Sequence, residues 1–150
     1  MQNNLTTIEK VIFLQDVDVF EYTSTEDLSQ IAAVAQELHF PSEHEIFREG
    51  EISDSMYLVL HGKVLLHRNS REIMIADAKK TFGSWALFDD EPRMVTAECK
   101  EDTCMLRIDK EEFLDLLAHN VRITQGILRQ MAHRLRSLIG SIPEVPATPQ

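Results

Sequence analysis

The sequence has little of what stabilises a small secreted protein or anchors a membrane protein. It has two cysteines in 150 residues and no apolar run near the ~20 residues that a membrane helix needs. Two cysteines cannot build a disulfide framework, so we expect a reducing, cytoplasmic location and no membrane insertion. Positive charge is also scarce, with 15 Lys and Arg against 25 Asp and Glu, a net charge of −10. Because phosphate neutralisation supplies much of nucleic-acid affinity, we expect no nucleic-acid partner.

Composition and patterning predict one domain over residues 6–139. Residues 8–38 are predicted to be helical, since Thr6 with Glu9 and Ser24 with Asp27 have the spacing of helix N-caps. Apolar residues continue at helical spacing through Leu38, so the predicted helical block ends there.

The middle block, residues 39–108, predicts short strands. Its apolar runs are mostly four to six residues long and are bounded by turn residues, which is typical of a β-sandwich or barrel. Residues 68–71 and 100–102 are predicted hairpin turns, and Gly50 and Gly62 are predicted to shape turns. Cys99 and Cys104 flank the second hairpin turn and are expected to face each other across it.

The last block, residues 110–139, is predicted to be helical again. Asp109 with Glu112 has capping-box spacing, and a longer helix is expected over residues 121–139. Leu128, Met131 and Leu135, followed by another leucine, have the three-four spacing of a paired helix, which predicts a homodimer. A monomer whose helix packs wholly on its own domain is the alternative. Residues 141–150 are proline-rich and are expected to be disordered or extended.

Two stretches carry a resemblance to a known family. They are IFREGEISDSMYLVLHG, residues 46–62, and FGSWALFDDEPRMVT, residues 82–96. In this order between helical blocks, they resemble the cyclic-nucleotide-binding domain family. The resemblance implies a mainly β jelly-roll barrel, cupin-like, with helices at both ends. It also implies a non-enzymatic regulatory module whose ligand is cyclic AMP, cyclic GMP or another small anion.

The second stretch matches the family's phosphate-binding cassette, so the resemblance supplies the candidate ligand-binding residues. They are Gly83, Ser84, Trp85, Ala86, Arg93, Met94 and Val95. A glycine before a short helical turn lets backbone N–H groups approach an anion. An arginine supplies a planar bidentate donor opposite those groups.

Three features of the cassette depart from the family pattern. The resemblance assigns a glutamate, which accepts a hydrogen bond from the ribose 2′-hydroxyl, to the position of Ser84. Met94 and Val95 stand where the family usually has two small residues. Residues 89–91 form an acidic run that repels an anion unless its side chains point to solvent. The pocket is therefore predicted to be degenerate.

The sequence leaves three questions open in this cassette, each with two possible answers. Arg93 is either a phosphate ligand or the partner of an acidic residue in the run 89–91. Trp85 either packs the short helical turn onto the barrel or stacks on a purine. Met94 and Val95 either intrude on the pocket or alternate as ordinary strand residues.

Three functions follow, in decreasing order of preference. The first is a regulatory module with a degenerate pocket, which is no enzyme and acts through an output domain or partner protein. The second is a functioning cyclic-nucleotide sensor domain of a larger signalling protein. The third is a cupin-type metalloenzyme, which the sequence argues against because its six histidines include no H-x-H pair. We therefore expect no metal site. No DNA-reading module is expected after Gly140.

Overall fold

The computed structural model describes residues 4–143. Most of the tail predicted at 141–150 therefore lies outside the described residues. The elements in chain order are α1 (Thr7–Leu14), a 3₁₀ turn (Asp18–Phe20), α2 (Thr25–Val34), β1 (Ala35–Phe40), β2 (Glu45–Phe47), β3 (Ser55–His61), β4 (Val64–Arg68), β5 (Arg71–Ala76), β6 (Thr81–Phe82), a second 3₁₀ turn (Ser84–Leu87), β7 (Thr96–Cys99), β8 (Thr103–Asp109), α3 (Lys110–His119) and α4 (Val121–Gly140).

The N-terminal helices begin where their capping residues predict. The Thr6 side chain accepts a hydrogen bond from the backbone N–H of Glu9, whose carboxylate accepts from the backbone of Thr6 in return. The predicted helical block 8–38 is wrong at its end, because α2 stops at Val34 and β1 follows directly. Residues 35–40 pair along the whole of β8, and that ladder outweighs an apolar spacing that also fits a helix.

Eight antiparallel strands form two four-stranded sheets, which confirms the mainly β fold with flanking helices. We call the sheet with strand order β1-β8-β3-β6 the inner sheet, and the sheet with order β2-β7-β4-β5 the outer sheet. The predicted barrel thus takes the form of two sheets that face each other. The first six residues of β3 are all buried, because one face of this strand meets the outer sheet and the other meets the helices.

The two faces of the inner sheet bury two separate apolar cores. The helix-side core joins β3 and β8 to all four helices, and its largest fully buried side chains include Phe20, Phe113 and Leu106. The sheet–sheet core fills the space between the sheets and contains the aromatic residues Phe47 and Tyr57 together with Phe82. The alternation of side chains along each strand is what separates the two cores.

The turns predicted from the sequence are only partly confirmed. The turn at 68–71 joins β4 to β5, with positive φ at Asn69 and Ser70, and Gly50 and Gly62 also have positive φ. The hairpin predicted at 100–102 is wrong, because β7 and β8 belong to different sheets. Cys99 and Cys104 therefore do not face each other: Cys99 lies in the sheet–sheet core and Cys104 in the helix-side core.

Helix α4 packs onto the rest of the domain through its first half. Asp109 precedes α3 without a side-chain cap, contrary to the prediction, because its carboxylate pairs with Arg107 at 3.0 Å. Asn120 caps α4 instead by accepting from the N–H of Ile123. A Cβ at Gly126 would lie 2.9 Å from the carbonyl oxygen of Tyr22, so this glycine permits a close helix contact. Within residues 4–143, none of the helices has the length and apolar character required to cross a bilayer.

Candidate ligand-binding site

All seven candidate residues of the sequence line one cavity. Its volume is about 700 Å³, and it opens between the second 3₁₀ turn and the segment that leads into β7. The sheet–sheet core supplies its aromatic wall. The lining residues that matter below are Phe47, Gly83, Ser84, Trp85, Ala86, Arg93, Met94 and Val95.

Arg93 is the charged group at the inner end of this cavity. It is only 5% exposed, although arginine is almost never buried without a partner. Its Nη2 donates to the carbonyl oxygen of Ser55 at 2.8 Å and lies 3.2 Å from the Ser55 hydroxyl. The guanidinium carbon lies 4.0 Å from the centre of the Phe47 ring, which is cation–π geometry.

The hydrogen-bonding capacity of Arg93 is only partly used. Its Nε and Nη1 are buried and have no hydrogen-bond partner among the described residues. Asp54 is the nearest carboxylate, at 3.6 Å from Nη2, but its side chain is 76% exposed and therefore well screened. Burial lowers the pKa of Arg93, and the charges of Tyr57, Asp54 and Glu51 offset this only in part. The site is a desolvated cation with free donors.

The acidic run does not neutralise Arg93, so the pairing alternative for this arginine is wrong. Asp90 pairs with Lys110, which also donates to the carbonyl oxygen of Asp89. Asp89 and Glu91 are exposed, as the prediction required for carboxylates that do not repel an anion. Lys110 thus offsets Asp90, whereas Asp89 and Glu91 are solvent-exposed but still line the cavity, so their negative charge reduces its affinity for an anion.

Gly83 lies directly against the guanidinium. Its φ of 72° is left-handed, and it precedes the second 3₁₀ turn. A Cβ added there would lie 2.6 Å from Nη1 of Arg93 and 3.2 Å from the carbonyl oxygen of Ser55. Both the backbone angle and the close approach therefore require glycine at this position.

The 3₁₀ turn after Gly83 presents one face to the core and one to solvent. Ala86 and Leu87 are the buried residues of this turn. The prediction that Trp85 packs the turn onto the barrel is wrong, because Trp85 is 71% exposed and lies at the rim of the cavity. Ser84 lies in the wall, with its hydroxyl 3.5 Å from that of Thr81, which is too long for a strong hydrogen bond.

Met94 and Val95 lie just before β7, which begins at Thr96, so they are not strand residues, although their side chains point in different directions. Met94 is exposed at the cavity mouth, whereas Val95 is half-buried and packs against the sheet–sheet core. The side chain of Met94 therefore does not fill the inner end of the cavity. The cavity remains open in spite of both larger residues.

A second cavity of about 890 Å³ lies on the other side of Arg93. Its lining has six acidic and three basic side chains, so it disfavours an anion. They are Glu51, Asp54, Asp90, Asp109, Glu111 and Glu112, against Arg93, Arg107 and Lys110. The cavity beside Gly83 has a smaller acidic excess, with Glu49, Asp89 and Glu91 against Arg68 and Arg93. Nη1 of Arg93 lies against Gly83 in its wall, so this cavity is the better anion site.

Three residues that hold Arg93 are absent from the sequence prediction. Phe47, Ser55 and Tyr57 come from β2 and β3, at least 36 positions before the arginine that they contact. Only their alternation on predicted strands could have indicated that they face the interior. Which cassette residue they meet depends on the sheet pairing, which the sequence leaves open.

Comparisons with known proteins agree with this geometry. Residues 37–120 match the family described as "Cyclic nucleotide-binding domain". A "CRP-like cAMP-activated global transcriptional regulator" from Mycobacterium tuberculosis is 30% identical over 116 residues, which cover 72% of this chain and 52% of that protein. The chain thus spans about half the length of this curated relative.

Solved structures share the fold. The N-terminal domain of a transcriptional regulator from Streptomyces coelicolor A3(2) superposes with a TM-score of 0.82 at 24% identity, covering 89% of this chain and 99% of that one. The Thermus thermophilus Catabolite Activator Protein gives a TM-score of 0.66 at 25% identity, covering 81% of this chain and 60% of that one.

Proposed function

The chain belongs to the cyclic nucleotide-binding domain family, and from this premise we propose that it is a non-enzymatic sensing module that binds a cyclic nucleotide weakly. Cyclic AMP and cyclic GMP are the candidate ligands, and their phosphate is the group that Arg93 recognises. The ligand-binding residues are those of the cassette: Gly83 to Ala86 and Arg93 to Val95.

The observation that carries this proposal is the state of Arg93. A buried polar group without a partner costs free energy, more so when it is charged. An anion in the cavity would accept from Nε and Nη1, which have no partner among the described residues. The gap in hydrogen bonding therefore matches a bidentate phosphate or carboxylate acceptor.

Weak binding follows from Ser84. A serine hydroxyl is shorter than the glutamate that the family places here and carries no charge. A missing charge-assisted hydrogen bond costs about 1.5–3 kcal/mol, or roughly 10- to 100-fold in affinity. The aromatic wall and Arg93 remain, so binding is reduced without being abolished.

Calorimetric titration with cyclic AMP and cyclic GMP tests the proposal. We expect Ser84→Glu to tighten binding by about 10- to 100-fold, because it restores the charged acceptor. Ser84→Gln is the matched control, since it supplies the length of the side chain without the charge. We expect a smaller gain from it. Arg93→Lys keeps the charge but removes the planar fork, so we expect it to weaken binding.

Two results would contradict the degenerate-pocket proposal. Tight binding by the unmodified protein supports the alternative function, a competent sensor domain of a larger signalling protein. Equal affinities of the wild type, Ser84→Glu and Ser84→Gln would instead assign the weakness to Met94, Val95 or the acidic run.

We propose that ligand occupancy is passed to an output domain or partner protein and that residues 4–143 contact no nucleic acid themselves. The net charge of −10 over the chain supports this assignment. A cytoplasmic location is supported by Cys99 and Cys104, which are both free thiols.

We further propose that α4 mediates a homodimer. One face of this helix is exposed, and the exposed surface continues into the residues that follow the helix. Ile123 and Ile127 lie on another face and pack into the domain. The exposed apolar side chains are Leu128, Leu135, Leu138, Ile139 and Ile142. The positions 128, 131, 135 and 138 follow a three-four repeat along α4, and Ile142 continues it after the helix ends at Gly140. Met131 packs partly against the helix-side core, so Leu128, Leu135 and Leu138 form the surface that a second copy of the helix complements.

Sedimentation of Leu135→Glu tests the dimer. Burying one leucine in an interface contributes about 1.5–3 kcal/mol, so its loss should weaken dimerisation roughly 10- to 100-fold. Ser137→Glu adds the same charge to the same helix outside the repeat and should leave the dimer intact. A wild type that is monomeric at tens of micromolar, or equal effects of the two variants, would contradict this interface.

A further inference from the structure

A second cluster of reactive side chains lies on the helix-facing side of the inner sheet. Glu37 and His39 are two residues apart on β1, so they share a face, and His39 is paired with Cys104 on β8. None of the three lines either cavity beside Arg93. This cluster is therefore separate from the nucleotide site.

The donor atoms of the cluster converge on one point. One ligand atom from each residue lies within 4.8 Å of the other two. Nε2 of His39 lies 2.8 Å from Oε2 of Glu37 and 3.6 Å from Sγ of Cys104. Tetrahedral zinc has Zn–S near ~2.3 Å and Zn–N near ~2.0–2.1 Å, which separates S from N by about 3.6 Å, as observed. The same geometry separates N from O by about 3.3 Å, so the hydrogen bond between Glu37 and His39 has to lengthen when the ion binds.

We propose that Glu37, His39 and Cys104 form a Zn²⁺ site with three protein ligands and a fourth position for water. Carboxylate oxygen, imidazole nitrogen and thiolate sulfur are together the donor set that zinc favours, whereas calcium and magnesium take oxygen alone. The two anionic ligands balance the charge of the ion, which suits a site where Glu37 and Cys104 are largely buried. His39 is 45% exposed and provides the route to solvent.

The surroundings position the carboxylate for this role. The backbone N–H of Leu5 donates to Oε1 of Glu37 at 2.8 Å, which leaves Oε2 directed at His39. Burial opposes ionisation of Glu37, but the hydrogen bonds from His39 and Leu5 still hold its pKa below the ordinary value. Lys10 is the cation nearby, and its Nζ is held by the carbonyl oxygen of Ala35 at 2.7 Å. Glu37 is thus an anion whose Oε1 is held by Leu5 and whose Oε2 becomes available to an ion when its hydrogen bond to His39 opens.

Zinc binding exchanges protons for coordination bonds. Cysteine binds a metal as the thiolate, so the Cys104 thiol has to lose its proton when the ion binds. Zn²⁺ displaces the thiol proton to solvent and binds the thiolate. The imidazole binds through Nε2 as the neutral tautomer with its proton on Nδ1, and the Glu37–His39 hydrogen bond gives way to two Zn²⁺ bonds.

This set has no local signature in the sequence. The cupin pattern is two histidines on one strand, whereas these ligands are a Glu-x-His pair on β1 and a cysteine 65 positions later. A bound ion would cross-link β1 to β8 and fix the chain before α1 through the Leu5 contact. The site would therefore stabilise the edge of the inner sheet.

Titration of the metal-free full chain with Zn²⁺ and Co²⁺ tests the site. We expect one ion per chain, and a Co²⁺ spectrum with a thiolate-to-metal charge-transfer band and intense tetrahedral d–d bands. Cys104→Ala should abolish that band and, like His39→Gln, weaken Zn²⁺ binding at least about 10- to 100-fold, the loss typical of groups one shell further out. Cys99→Ala and His119→Gln are matched controls, since each removes the same donor type elsewhere, and should bind as the wild type does.

Three outcomes would overturn the proposal. They are no ion bound by the wild type, a Co²⁺ spectrum without the thiolate band, and equal zinc affinity of the ligand variants and their controls. The first two need no variant, so a substitution that fails to fold does not block the test. Glu37→Gln adds a check, because it keeps the Leu5 contact and should weaken binding while retaining the thiolate band.

Discussion

Each of the two cores of the molecule has a buried charged side chain beside it, and the two side chains differ in how fully they are paired. Asp27 at the helix-side core is 4% exposed and pairs with Arg122 at 2.9 Å. Arg93 beside the sheet–sheet core is 5% exposed and leaves Nε and Nη1 without partners among the described residues. Asp27 is therefore matched by a cation, although the buried Thr23 hydroxyl before α2 has no partner among the described residues, whereas Arg93 keeps two donors available to a ligand. Donors without a partner are useful for binding a ligand, whereas selection for stability alone would not retain them.

The largest expected effect is a loss of stability in the helix-side core that leaves ligand binding unchanged. Phe113 is fully buried between Phe20 and Phe88, so Phe113→Ala should lower the free energy of unfolding by about 3–5 kcal/mol. Urea unfolding measures this loss. Ligand affinity of the fraction that remains folded should not change, because Phe113 lines neither cavity beside Arg93.

Phe82→Ala is the matched truncation in the sheet–sheet core. Phe82 stacks on Tyr57 at 5.1 Å and also lines the 700 Å³ cavity. It should cost less stability than Phe113→Ala, because part of its surroundings is already open, and it should alter ligand affinity. The comparison between the cores fails if both variants change affinity equally.

Much of the fold follows from local sequence signals. The Thr6–Glu9 cap and the tight turn at 69–70 are local, and the structure confirms both. Ala35 shows the limit of such signals, since its apolar spacing fits a helix and only the partner strand β8 makes it a strand.

The candidate site shows the same division between local and distant information. The cassette from Gly83 to Val95 is contiguous, so its residues can be recognised together and lie around one cavity. Trp85 could not be placed, because its exposure depends on which side of a single 3₁₀ turn meets the core. The ladder that brings Cys104 beside His39 joins strands far apart in the chain, and no local pattern encodes it.

A smaller effect is expected at the glycine that touches Arg93. Gly83→Ala should cost about 1–2 kcal/mol for the left-handed backbone, and it should also displace the guanidinium and change ligand affinity. Gly50→Ala is the control, because Gly50 has a φ of 88° but nothing within 4 Å of an added Cβ, and the alanine keeps the backbone N–H that donates to the carbonyl oxygen of Arg93 at 2.8 Å. We expect similar backbone strain there with no change in binding. Equal affinities of the two variants would argue that the contact between Gly83 and Arg93 has no part in the site.

The smallest expected effect on stability is at Arg93 itself. Arg93→Met keeps an unbranched side chain in contact with Phe47 and removes a buried cation whose donors are not all used. Replacing buried charges by apolar groups of similar size is often neutral or stabilising. The lost hydrogen bond to Ser55 works in the other direction, so we expect a net change within about 1 kcal/mol.

Urea unfolding of the wild type and Arg93→Met, each with and without excess cyclic AMP, tests most directly whether Arg93 is held for an anion. We expect nearly equal stability of the two proteins without ligand. We also expect the ligand to stabilise the wild type alone, by about 2.7 kcal/mol at one hundred times the dissociation constant. A loss of several kcal/mol in the ligand-free variant, or equal stabilisation of both proteins by the nucleotide, would contradict the claim that Arg93 is held for an anion.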